Sequence, residues 1–202
     1  MRTNIKKFAV RFFDRELDFR VRLFNVLAIA GTAISAATLL LNMITAMWAS
    51  AALSAVLTVL SAGLLIFTYK TGKYRVGYLV TIAVIFMLLF PILFFTSGGY
   101  RGGMPSMFIF AVLFTVLMLE GKTALFVSVA EILEYIAVSV IGYLNPGLVT
   151  WFAAESEMLA DILITTTAVA VSCGVVLYLH LREYEAQRVK LAEQNDRLKR
   201  ND

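Results

Sequence analysis

The chain has 202 residues, 60% of them hydrophobic, a mean hydropathy of +0.81 and a formal net charge of +4. A water-soluble domain of this length needs more charge to cover its surface, so the ordinary soluble class is excluded. One cysteine, Cys173, excludes an intrachain disulfide framework, and one histidine, His180, excludes a multi-histidine metal site within a single chain.

Residues 1–20 form a basic segment in which Phe8, Phe12, Phe13, Leu17 and Phe19 interleave with Lys and Arg. The pattern suits a helix lying in the membrane interface with its basic face toward headgroups, or an ordered extension of the first span. No short apolar core with a small-residue cleavage site follows, so no removable signal peptide is expected.

Residues 21–179 carry six apolar stretches, at 21–46, 51–69, 77–95, 104–119, 123–143 and 158–179. Crossing a bilayer takes roughly 20 apolar residues at about 1.5 Å rise each. The reading is therefore an all-α integral membrane protein with six transmembrane helices. The break between the first two lies near Trp48, because one helix from 21 to 69 is far too long to cross once. Met104-Pro105 marks the start of the fourth, since proline suits a first helical turn.

Orientation follows from the basic residues. With the N-terminus inside, Arg2, Lys6, Lys7, Arg11, Arg15, Arg20 and Arg22 lead the first span. Lys70, Lys73, Arg75 and Lys122 fall in inner connections, and Arg182, Arg188, Lys190, Arg197, Lys199 and Arg200 fall in the tail. That puts 17 of 18 basic residues inside and only Arg101 outside. The positive-inside rule thus predicts both ends in the cytoplasm and a multi-pass membrane protein. It also explains the net charge through lipid headgroups and leaves no case for nucleic-acid binding. Trp48 and Trp151 fall in outer connections, at headgroup level.

Residues 180–202 continue the sixth span with a 4–3 repeat. Leu177, Tyr184, Leu191 and Leu198 take one heptad position, and Leu181, Arg188, Asn195 and Asp202 the other. A leucine-rich d position with Asn at a predicts a parallel two-stranded coiled coil in fixed register, hence a homodimer; the alternative is a solitary solvated helix. The repeat stops mid-pattern at Asn201-Asp202, which suggests an output domain beyond it.

No hydrolase elbow, phosphate loop or metal-ligand cluster occurs, and nothing calls for a cofactor. The reading is accordingly a non-enzymatic chain. Two places draw attention. Gly98-Gly99-Tyr100-Arg101-Gly102-Gly103, followed by Pro105, allows a tight turn close to a ligand or a helix, and Arg101 offers donors to a carboxylate or phosphate. The alternative is a flexible connector. Glu131 and Glu134 share one helix face near the bilayer centre, where isolated carboxylates cost a few kcal/mol each on insertion scales. They read as a polar core that responds to ligand or protons, or as interhelical glue with Ser128, Tyr135, Thr165–Thr167 or Ser172 as partners. Pro91 predicts a kink in the third span. Ala30, Gly31, Ala33, Ser35, Ala36 and Ala37 make the first span a small-residue packing surface.

The run Phe94-Phe95-Thr96-Ser97-Gly98-Gly99-Tyr100-Arg101-Gly102-Gly103-Met104-Pro105 resembles an outer-loop pattern of six-helix membrane sensor regions of bacterial histidine kinases and related signalling receptors. The likeness continues through Leu119-Glu120-Gly121-Lys122, Glu134, Tyr143-Leu144-Asn145-Pro146 and the exit from Tyr178 to Asn195. It implies a two-component sensor input whose last helix drives a cytoplasmic kinase or another signalling enzyme absent from this chain, with an unknown small ligand. The competing reading is a subunit of a transporter or channel, which the intramembrane glutamates suit.

Overall fold

The computed structural model describes residues 18–201, with side chains to residue 196. The interfacial helix expected in the leading segment falls on 1–17, outside the described residues, as do the side chains of Leu198 and Asp202 at the end of the heptad repeat.

The described residues form helices α1 (Phe19–Ile44), α2 (Trp48–Thr71), α3 (Tyr74–Thr96), α4 (Met104–Met118), α5 (Gly121–Leu144) and α6 (Glu155–Asn201). Helix accounts for 89% of the structure, and no strand occurs among the described residues. Single turns of 3₁₀ helix at Gly99–Arg101 and Pro146–Leu148 shape two connections. Five helices are long and apolar enough to cross a membrane; α4, with 15 residues, is shorter. Each helix matches one apolar stretch of the sequence, with ends displaced by a few residues except at the end of α6, which continues from 179 to Asn201.

Burial follows solvent logic opposite to that of a water-soluble protein. Val59, Leu125, Phe126 and Leu133 face outward, while Asn25, Ser35, Asn42, Ser54, Thr68, Thr115, Glu131 and Asp161 are buried. Apolar outside and polar inside is what hydrocarbon selects, because a polar group facing lipid has nothing to bond. The helices are those of a multi-pass membrane protein.

Helix α4 is the centre of the bundle. Met104, Met107, Phe108, Phe110, Ala111, Phe114, Thr115 and Met118 are all buried. Phenylalanine rings knit it to its neighbours: Phe114 meets Phe86 of α3 at 5.2 Å and Phe24 of α1 at 6.2 Å, and Phe108 meets Phe90 at 5.8 Å, each edge to face. These tilts set the positive ring edge on a negative face.

Where Pro91 is expected to disturb the third span, the helix changes type. Residues Thr81–Leu89 wind as π-helix, and the Phe90 N–H bonds back five residues to the Ile85 carbonyl. Proline lacks a donor and crowds the preceding turn. The wider turn just before it absorbs that loss, and the α-helix resumes at Phe90–Thr96 with Pro91 in its first turn.

The bundle has two distinct ends. At one, the connections at 45–47, 97–103 and 145–154 come together: Ser50 donates to the Thr96 carbonyl, and Gly98 N–H donates to the Thr150 carbonyl at 3.0 Å. At the other, Arg20 pairs with Glu120, and Arg22 with Glu183 at 2.9 Å.

Candidate functional site

The glycine segment is a packed structure. Gly98 and Gly99 take positive φ (76° and 57°), which lets the chain reverse into its single 3₁₀ turn. A two-way tie then holds it to the connection before α6: besides the Gly98 bond, the Thr150 N–H donates to the Phe95 carbonyl at 2.8 Å. A side chain at Gly98 would run into the Phe152 ring, and one at Gly103 into Thr165 of α6.

Asp161 makes the tie that matters most. This α6 residue, 5% exposed, accepts a hydrogen bond from the Gly103 N–H at 2.7 Å. Gly103 is the N-cap residue of α4, so the carboxylate lies at the positive end of that helix, where an anion is favoured. One helix thereby grips the start of another through the last glycine of the loop. One turn farther along α6, Thr166 shares a hydrogen bond with Ser106 of α4 at 2.9 Å. Asp161 is absent from the residues that the sequence singles out. Its signal is one acidic residue within an apolar stretch, the same signal that picks out Glu131 and Glu134.

Among the expected loop residues, Tyr100 is half-buried and its ring meets Trp151 at 5.6 Å and Tyr143 at 6.4 Å. Arg101 is exposed, with its guanidinium 5.3 Å from the Trp151 ring centre. Trp151 is itself fixed by an Nε1–H bond to the Pro146 carbonyl at 3.0 Å. Arg101, Trp151, Phe152, Glu155 and Met158 line an open groove of about 490 Å³. It offers one charge of each sign over an aromatic floor. Pro105 stands half-buried in the first turn of α4, where its missing donor costs nothing.

Glu131 and Glu134 are not part of this end. Glu131 is fully buried and accepts a hydrogen bond from the Thr115 hydroxyl of α4 at 2.6 Å. The expected partners are therefore corrected. Ser128 finds no partner among the described residues, and Ser172 donates to its own helix at the Ala168 carbonyl. Tyr135 instead packs its ring on Phe108 at 5.3 Å. The helix neighbouring α5 at this depth is α4, which supplies Thr115. Oε2 of each glutamate is buried without a hydrogen-bond partner among the described residues.

The proposed seam residues on α6 stand away from the bundle. Leu177, Leu181, Tyr184, Leu191 and Asn195 are all exposed, while Val176 beside them is buried against the core. Helix α6 runs 47 residues without interruption, from the Asp161 clamp past the end of the bundle marked by Arg22–Glu183.

The fold and site together define a class: an all-helical, multi-pass membrane protein in which a packed glycine loop is clamped to the last and longest helix. Comparisons with protein-family models, curated proteins and solved structures find no match for this chain.

Proposed function

We propose that this chain is the membrane-embedded sensory input part of a dimeric signalling receptor in a bacterial cytoplasmic membrane. In this reading all six helices span, α4 with the help of the loop before it, and both ends are cytoplasmic. Helix α6 leaves the membrane as one strand of a parallel coiled coil and feeds an output enzyme, with a histidine kinase implied by the sequence resemblance. Its partners are lipid, a second copy of the chain, and a small ligand at the loop end.

The observation that carries the reading is the bond from Gly103 to Asp161 on an unbroken 47-residue helix. A stimulus that binds two arrangements of the loop unequally shifts their populations. Because the loop holds α6 directly, such a shift changes the rotation or tilt of that helix, and a rigid helix carries it to its far end. The exposed leucine seam supplies a second copy with something to pack on, and a transporter has little use for it. The groove beneath Arg101 and Trp151 is where a small amphipathic or zwitterionic molecule would engage both the loop and α6.

The test is transmission along α6. In a Cys173→Ala background, cysteine at Leu191 should crosslink between protomers in the membrane. Adding Asp161→Asn, which weakens the grip on Gly103, should change that crosslinking rate several-fold in the intact chain. An unchanged rate, with the variant inserted and folded, would mean the loop end does not drive the tail.

A further inference from the structure

At the end of the bundle opposite the glycine loop, α1 and α6 leave a groove of about 480 Å³ between them. Arg22, Arg182 and Glu183 line it, and the rest of its lining is apolar. Val26 on α1 and Leu179 on α6 lie four residues deeper into the bundle than Arg22 and Glu183, about 6 Å by helical rise. The groove is thus charged toward the helix ends and apolar below.

Its charges do not cancel. Arg22 is held in place, paired with Glu183 at 2.9 Å and with its guanidinium 5.8 Å from the Phe19 ring centre. Its Nε is buried without a hydrogen-bond partner among the described residues. Arg182 is exposed and makes no hydrogen bond or ion pair among the described residues. Glu183 is the one acid in the lining and Arg22 answers it, so two cations against one anion leave a net charge of +1 at Arg182.

That combination selects among ligands. A purely apolar molecule leaves both arginines unused, and a free inorganic anion leaves the apolar part unused. The phosphodiester of an anionic phospholipid carries one negative charge, fits the guanidinium fork, and continues into acyl chain. Basic pockets between membrane helices take such headgroups.

We infer that the groove between α1 and α6 binds an anionic phospholipid, with its phosphate on Arg182 and Arg22 and an acyl chain over Val26 and Leu179. The inference rests on the membrane location of the helices and is independent of any signalling role.

The test uses the purified full chain in dodecyl maltoside micelles doped with phosphatidylglycerol or with phosphatidylcholine, whose choline cancels the phosphate charge. A ligand bound only by the folded state raises Tm, so phosphatidylglycerol should raise it by about 3 °C or more over phosphatidylcholine. Arg182 has no partner to lose, so Arg182→Gln should fold, and it should raise the half-saturating phosphatidylglycerol fraction about tenfold. Lys73→Gln removes one charge at the same end but outside the groove and should leave that fraction unchanged. Glycerol 3-phosphate at the same concentration should have no effect, because it lacks the acyl chain.

Equal Tm in the two lipids overturns the proposal, as does unaltered half-saturation in Arg182→Gln. If Lys73→Gln weakens binding as much as Arg182→Gln, diffuse surface charge is responsible and the site is refuted. If glycerol 3-phosphate matches the lipid, the groove is a site for free phosphate and the lipid assignment falls.

Discussion

The Thr115 hydroxyl donates to Oε1 of Glu131 across 2.6 Å, joining α4 to α5 within a bundle interior that excludes water. Interhelical hydrogen bonds of this kind average about 0.6 kcal/mol in membrane double-mutant cycles, with a maximum near 1.7 kcal/mol. Thr115→Val should destabilise by about 1 kcal/mol, because it also strips a buried carboxyl group of its donor. In the double variant Thr115→Val, Glu131→Leu, the loss should be smaller than the sum of the two single losses. Reversible unfolding in mixed micelles measures the cycle, and strict additivity would show that the pair contributes no coupling.

Glycine substitutions should rank by what a side chain meets. Gly121 has φ +55° but open space around it, so Gly121→Ala bears backbone strain alone, about 1 kcal/mol. Gly98→Ala combines a similar strain with a collision against Phe152 and should lower Tm clearly further. Gly103→Val forces Thr165 away and disturbs the Asp161 bond, so it should lower Tm most. Thermal unfolding of the three variants checks the order. Equal losses at Gly98 and Gly121 would mean that the loop yields freely.

The proposed topology predicts which positions react with an impermeant thiol reagent added from outside. In a Cys173→Ala background, cysteines at Arg101 and Glu155, both exposed at the loop end, should label. Cysteines at Lys73 and Glu193, exposed toward the opposite end, should stay silent until the membrane is permeabilised. Ser97 is buried, so it is a poor reporter despite lying in the same connection. Labelling of Lys73 alongside Arg101 would rule out six crossings in this orientation.

The proposed dimer seam predicts a periodic crosslinking pattern along α6. Cysteine at Leu191 should form interprotomer crosslinks at least several-fold faster than cysteine at Glu193, although both side chains are exposed in the single chain. A parallel seam holds residues of the same heptad position face to face. Comparable rates at the two positions would exclude this register.

Much of the helical layout is legible in the sequence because hydrocarbon makes a simple demand. A segment either keeps enough apolar residues to span or it does not, and each of the six stretches forms its own helix. The polar partners are less legible. Glu131 announces itself by its cost, but its donor, Thr115, lies on another helix, and nothing in local spacing distinguishes that threonine from Thr165 or Ser172. Pro91 does mark a disturbance. That the disturbance takes the form of a π-helix over Thr81–Leu89 is visible only in the structure.

An all-helical chain with apolar spans, a glycine-rich turn between the third and fourth helices, and a leucine-spaced tail can all be read without coordinates. These follow from composition and period, which act residue by residue along the chain. Packing in three dimensions was needed to show that the glycine turn is docked, that α4 is the buried centre, and that Asp161 meets Gly103 across 58 residues of sequence. A hydrogen bond between distant residues exists only once helix packing has brought donor and acceptor within about 3 Å, and no local pattern encodes that meeting.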